Sequence, residues 1–305
     1  MKIAFLASAN GLGHTRRLIS IALELEKLQL RCIFFLPCQL PKNSIIREAI
    51  SEHGFETAGF CSNDYFDGPF TKFEKHNICE SRFNSENLDY FNFLICDTVL
   101  INTGNSNIKK ILIAQFLWNL NSQNNFLLES YNQIFGFKYF SQKNVTKLKN
   151  FIQIPLFDYW NLSSYRRVPC SDHICIANSG AELVMNYLPS EVNSRNYKVI
   201  YGLDEYLKNN VKPLAIICRP GLGAILECLS AGITPILINT SEFELEYNLQ
   251  ICVSNEWGIA LKDFLKIPIE NRIAYLNKFN RKNNQPVLIQ SDELVREYIL
   301  PAIGY

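Results

Sequence analysis

This sequence has no excess of either charge. Its 30 basic and 29 acidic residues leave a formal net charge of +1 across 305 residues. No long-range field is therefore available to hold a nucleic-acid backbone or an acidic membrane surface. The pairs Lys109-Lys110 and Arg166-Arg167 read as solvated surface rather than a binding stripe. No apolar run approaches the ~20 residues that span a bilayer, so no transmembrane segment is expected, while peripheral membrane association stays open. The ten cysteines include no Cys-x-x-Cys pair, and the four histidines do not gather near them, which argues against a zinc site. Cys32, Cys96 and Cys218 lie inside apolar runs, where a thiol behaves as a small buried hydrophobe. A reducing, cytoplasmic compartment accounts for them. No Gly-x-x-x-x-Gly-Lys-[Ser/Thr] occurs, which excludes a P-loop kinase or ATPase. No Asp-x-Asp occurs either, so a transferase built on a carboxylate-bound divalent metal is not expected. The apolar start, Ile3–Ala7, is too short for a signal peptide and runs straight into a glycine-rich turn.

What is present is a doubled grammar. With 48% hydrophobic and 19% charged residues, the chain can fill two cores of ordinary domain size. One segment runs from an apolar strand, Lys2–Ala7, through Asn10-Gly11-Leu12-Gly13-His14 into a helix over about Thr15–Leu28, then a strand over Arg31–Leu36. Leu18, Ile21, Ala22 and Leu25 fall on one face of that helix. The other runs from strand Ala215–Cys218 through Arg219-Pro220-Gly221-Leu222-Gly223 into a helix over about Ala224–Ala231. It stops at Gly232 and continues as strand Thr234–Ile238. Further strands are predicted at Phe93–Cys96, Ile111–Phe116, Ile174–Ala177 and Val199–Tyr201. Such alternation indicates an α/β fold with parallel sheets built from βαβ units. The predicted division is an N-terminal domain over 1–160, a C-terminal domain over 171–290, and a last amphipathic helix within 291–305 that packs back on the first domain. The segment Gly59 to Leu88 breaks the rhythm and reads as a long loop, either an acceptor-side lid or ordinary irregular surface.

The candidate chemistry sits at the two glycine turns. Gly221 and Gly223 let backbone approach a phosphate, and the helix that follows aims its N–H groups and dipole at an anion. Glu227 is placed on the early part of that helix, where a carboxylate can accept ribose hydroxyls; a tight turn with a surface glutamate is the plain alternative. Neither turn completes Gly-x-Gly-x-x-Gly, since Arg16 and Leu226 fill the third position, so NAD or FAD is disfavoured. His14 stands at a helix start directly after Gly11-Leu12-Gly13. The dipole there disfavours the cation, leaving a neutral imidazole suited to take a proton; a capping or packing histidine is the alternative. Of Arg16 and Arg17, one can neutralise a phosphate or an acidic acceptor while the other faces solvent. His53, His76 and His173 read as structural.

Taken together, Met1–Leu28, Asp97 with Ile113–Asn119, and Ile217–Gly258 resemble the GT-B glycosyltransferases. The similarity is greatest to the branch that includes the lipid II GlcNAc-transferase, with a related nucleotide-sugar hydrolase of pseudaminic acid synthesis. The resemblance implies two Rossmann-like, doubly wound parallel-sheet domains facing a cleft, with no obligatory metal and no cofactor. It implies a nucleotide-diphosphate sugar, UDP- or dTDP-linked, on the second domain and a hydroxyl acceptor on the first. By position, Gly221 and Gly223 would approach the diphosphate with Arg219 nearby, Glu227 the ribose, and Glu244 and Asn248 the sugar and phosphates. Ser179 and Gly180 would cradle phosphate, His14 would be the base, and Gly11, Gly13, Arg16 and Asp97 would line the acceptor side. The sequence departs from the family's Glu-Gln-x-x-Asn at Leu245. Transfer to an acceptor hydroxyl is the leading expectation. Hydrolysis by water and a non-catalytic partner subunit are the alternatives.

Overall fold

The computed structural model describes residues 1–7, 12–37, 44–60, 78–79, 88, 90–101, 107–114, 128–141, 147–177, 197–200, 203–207, 210–282 and 285–305. The chain divides into two compact units, one comprising Met1–Pro155 with Ile289–Tyr305, the other Leu156–Leu288.

The first unit is a seven-stranded parallel sheet. Its strands are β1 (Lys2–Ala7), β2 (Arg31–Pro37), β3 (Glu56–Phe60), β4 (Phe93–Asp97), β5 (Lys109–Ala114), β6 (Gln133–Phe137) and β7 (Phe151–Ile154), in the order β3-β2-β1-β4-β5-β6-β7. Strand β4 is buried along its whole length, and β1 from Ile3 onward, which is why both read as unbroken apolar runs rather than alternating ones. Helix α1 (Leu12–Lys27) follows β1 and buries Leu18, Ile21, Ala22 and Leu25 completely. Those are the four positions that the 3.6-residue period selects. The helix begins before the predicted Thr15, so Gly13 and His14 belong to its first turn. Helix α2 (Ile45–Glu52) is started by Ser44, whose hydroxyl accepts from the Arg47 backbone N–H at 3.3 Å. Ile78–Cys79 and Leu100–Ile101 form a separate parallel pair; the rest of the irregular segment between Phe60 and Leu88 lies outside the described residues. Residues Ser291–Ile303 are helical, with a five-residue π-type stretch over Val295–Ile299. Tyr298 from this stretch meets Phe135 of β6 edge-on at 6.3 Å between ring centroids.

The second unit carries a five-stranded parallel sheet: β8 (Ile174–Ala177), β9 (Tyr197–Ile200), β10 (Ala215–Cys218), β11 (Thr234–Leu237) and β12 (Ile259–Ala260), in the order β9-β8-β10-β11-β12. Helix α3 (Leu222–Ala231) connects β10 to β11. It ends as predicted at Gly232, whose φ of 68° is left-handed, a conformation that costs glycine nothing. Its start lies two residues before the predicted Ala224, which puts Gly223 inside the helix and leaves Gly221 as the N-cap. Helix α4 (Phe243–Ser254) buries Leu245, Asn248, Leu249 and Cys252, and helix α5 (Arg272–Lys282) covers the same sheet with Leu276.

In both sheets the strand order reverses once. The reversal falls between β1 and β4 in the first unit and between β8 and β10 in the second. Open α/β sheets bind ligands beyond the carboxyl ends of the strands at such a point. Those two ends hold the candidate residues.

Candidate active site

In the first unit, β1 and β4 run side by side with Ala7 opposite Asp97. Asp97 closes β4, and α1 starts beyond the end of β1, so the first turns of α1 stand over the Asp97 carboxylate. His14 and Arg17 are three residues apart and therefore share one helix face. His14 Nδ1 lies 2.7 Å from Asp97 Oδ1. Arg17 donates from Nε to Oδ2 and from Nη2 to Oδ1, each at 2.8 Å, the two-point geometry that a guanidinium fork makes with a carboxylate. Thr98 Oγ1 adds a third donor to Oδ1, also at 2.8 Å. Asp97 and Arg17 are essentially excluded from solvent, with exposures of 0% and 1%, while the His14 side chain retains 14%.

Burial by itself would push the Asp97 carboxyl up. The Arg17 charge and the hydrogen bonds from His14 and Arg17 outweigh it and hold the group down at about 2. Asp97 is therefore a carboxylate and only an acceptor. With Asp97 an acceptor only, the 2.7 Å contact assigns the proton to His14 Nδ1, which in a neutral imidazole puts the lone pair on Nε2. This tautomer follows from the hydrogen-bond network. Arg17 Nη2 also lies within hydrogen-bond distance of Nδ1, at 2.8 Å, so the guanidinium touches the imidazole as well as the carboxylate. Thr98 holds φ at 58°, an uncommon state for a β-branched residue. Its backbone N–H donates to Ile113 O at 2.9 Å, which secures that strained turn between neighbouring strands. Of the arginine pair, Arg17 joins His14 and Asp97, whereas Arg16 is half-exposed on another face of α1. Gly13 is in the first turn of α1, and Gly11 lies outside the described residues.

In the second unit the turn Arg219-Pro220-Gly221 leaves β10 and enters α3. Gly221 caps the helix with no side-chain bond. Its φ is −69°, and a Cβ built there would meet none of the described residues within 4 Å. Neither conformation nor packing within the described protein thus requires glycine at 221. Arg219 Nη2 donates to Glu242 Oε1 at 2.6 Å, with both side chains roughly a third exposed. Glu227, half-buried on α3, has Oε1 3.0 Å from the Tyr159 hydroxyl. The same hydroxyl is 3.0 Å from the Gly223 carbonyl. Asn248 is fully buried and donates from Nδ2 to the Pro220 carbonyl at 2.9 Å, so its amide braces the turn from beneath. Leu245 is also buried on α4, where its apolar side chain serves the core. Glu244 is half-buried in the first turn of α4, where a carboxylate complements the helix dipole. Ser179 and Gly180 lie outside the described residues.

Three participants were not singled out from the sequence: Arg17 as the partner of Asp97, Thr98, and Tyr159. The spacing of Arg17 from His14 was the one available signal. Tyr159 stands 64 residues before Gly223, and no local pattern links them. Among the described residues, no group of three or more His, Cys, Asp or Glu is placed to hold a metal ion, and no helix is long and apolar enough to cross a membrane.

No family model matches this chain and no curated protein matches it. Solved structures do. LpCGTa in complex with UDP aligns over 100% of this chain and 99% of its own, at 11% identity and a TM-score of 0.58. MurG of Acinetobacter baumannii aligns over 99% of both chains at 9% identity and 0.58. The spinosyn rhamnosyltransferase SpnG complexed with thymidine diphosphate covers 97% of this chain and 99% of its own, at 10% identity and 0.59. At these identities the likeness speaks for the fold alone, and with two parallel α/β sheets in sequence order it establishes that this chain has the GT-B fold.

Proposed function

We propose that the chain is a glycosyltransferase that moves a sugar from a UDP- or dTDP-linked donor to an acceptor hydroxyl. The observation that carries the reading is the His14–Asp97 pair at the strand-order reversal of the first unit. A neutral imidazole with Nδ1–H on a buried carboxylate has its Nε2 lone pair available to take the acceptor proton. As that proton leaves, the hydroxyl oxygen attacks the anomeric carbon and the bond to the diphosphate breaks. Asp97 keeps the ring oriented and stabilises the imidazolium that forms.

The second unit supplies the matching donor chemistry in this reading. The N-terminus of α3 presents backbone N–H groups and the positive end of its dipole to the leaving diphosphate. The absence of any described residue within 4 Å of a Cβ at Gly221 supports close approach of phosphate to backbone. Glu227, oriented by Tyr159, is assigned to the ribose. Arg219, tied to Glu242, stands at the same turn. The likeness to LpCGTa in complex with UDP and to SpnG complexed with thymidine diphosphate supports a pyrimidine nucleotide. A cytoplasmic location remains part of the reading and is supported by the buried thiols of Cys32, Cys175, Cys218, Cys228 and Cys252.

The test is a thermal-shift series with UDP, dTDP, GDP, CMP, NAD and ATP, followed by turnover of the sugar-linked form of whichever nucleotide binds. A ligand at ~100 times its Kd adds about 2.7 kcal/mol and raises the melting point by a few degrees. A shift with one nucleoside diphosphate that is lost in Glu227→Ala, together with acceptor-dependent release of that diphosphate, is expected. Release of free sugar without an acceptor would replace transfer by hydrolysis. Binding without turnover would point to a partner subunit, and a shift with NAD alone would overturn the donor site.

A further inference from the structure

We propose that Arg17 is a positioning residue: its two-point grip on Asp97 sets both the orientation and the tautomer of His14. Nε and Nη2 both donate to the Asp97 carboxylate, Nη2 also lies 2.8 Å from His14 Nδ1, and the side chain is buried with its guanidinium 5.6 Å from the centroid of the Phe137 ring. It is thus built into the base rather than extended toward an anionic substrate.

Two separate effects follow from this placement. The first is geometric. His14 and Thr98 both bond Oδ1, and among the described residues Arg17 supplies the bond to Oδ2. Without the fork the carboxylate can rotate and exchange its oxygens, and the imidazole that follows Oδ1 loses its fixed direction. The second is electrostatic. A carboxylate sealed from water with no cation beside it tends to take a proton instead of remaining charged. A protonated Asp97 would be a donor toward Nδ1. His14 would then accept there and carry its hydrogen on Nε2, which removes the lone pair that deprotonates an acceptor. Arg17 prevents this exchange by keeping Asp97 a pure acceptor. Lysine could supply the charge without the fork, and glutamine neither.

The catalytic part of this inference rests on His14 acting as the base, but the tautomer can be read without turnover. Nitrogen-15 spectra of the histidine-labelled full chain, assigned with His14→Gln, distinguish Nδ1–H from Nε2–H directly. The wild type is expected to show Nδ1–H at His14, and Arg17→Lys to retain it. Arg17→Gln is expected to shift His14 toward Nε2–H near neutral pH. Nucleoside diphosphate release from UDP-glucose and dTDP-glucose gives the second readout. Losing the oriented base should lower kcat by about 100-fold in Arg17→Gln with KM changed by less than about threefold, and Arg17→Lys should recover part of the loss. An Nε2–H tautomer in the wild type would overturn the proposal, and so would an Arg17→Gln protein that keeps Nδ1–H. If that variant fails to fold, the wild-type tautomer and the kcat of Arg17→Lys decide, and unchanged kcat there overturns the geometric part. Should neither sugar nucleotide turn over, the function falls while the tautomer still tests the role of Arg17.

Discussion

The Tyr159 hydroxyl stands 3.0 Å from both Glu227 Oε1 and the Gly223 carbonyl. One proton serves these two acceptors, so a buried phenol ties the side chain assigned to the ribose to the backbone of the helix that carries it. Replacing Tyr159 by Phe keeps the ring and removes the tie. The net loss of a hydrogen bond is about 1 kcal/mol, so the expected outcome is a five- to tenfold rise in the Kd for the nucleoside diphosphate, read by titration calorimetry. Equal affinity in wild type and variant would show that Glu227 needs no orientation or does not touch the nucleotide.

Gly221 offers a cleaner separation of binding from stability. At φ −69° alanine is tolerated, and among the described residues its Cβ meets no atom within 4 Å. The entropy gained by restricting the unfolded chain roughly offsets the weaker N-cap. Gly221→Ala should therefore melt within about 0.5 kcal/mol of wild type yet lose the stabilisation that a nucleoside diphosphate confers. A full thermal shift with nucleotide in this variant would remove the turn from the donor site.

Asn248 is expected to act through the turn. Its amide is buried against the Pro220 carbonyl, and Asn248→Leu leaves that carbonyl without its donor at a cost of about 1–3 kcal/mol. Stability should fall together with donor affinity. Weakened binding at unchanged stability would instead mean direct contact with the ligand.

The carboxyl of Asp97 is held at about 2 against an ordinary value of 3.8. The sign follows from linkage: with the folded value depressed, Asp97 stabilises the fold fully above pH 3.8. That contribution is lost as pH falls toward 2, where the folded state also takes up the proton. Urea titrations between pH 2 and 5 should show the wild type losing stability across this window. Asp97→Asn should start less stable at neutral pH, because Arg17 is left buried without its anion, and should vary less with pH there. A parallel pH dependence in the two proteins would contradict the charge assignment.

Much of the fold was legible because its determinants are local. Buried parallel strands such as Ile174–Ala177 and Ala215–Cys218 announce themselves as apolar runs, and the helix after each glycine turn by its 3.6-residue period. Strands Glu56–Phe60 and Gln133–Phe137 were not anticipated. The first is short and polar at its start, the second carries Gly136, and neither differs in pattern from a loop. What makes them strands is the neighbour: β3 pairs with β2, and β6 lies between β5 and β7.

The candidate site divides along the same line. The sequence alone determined where reactive residues stand along the chain: His14 after a glycine turn, Glu227 on the helix after another, and Asp97 at a strand end. Only the tertiary structure decided which of them meet. Asp97 reaches His14 across 83 positions and Arg17 across 80, because β4 lies beside β1 after the chain has built β2 and β3 on the other side. Glu227 and Tyr159 meet across 68. Contacts at such separations leave no periodic trace, since the sheet order that creates them is set by which apolar surfaces bury one another best, and that is a property of the whole chain.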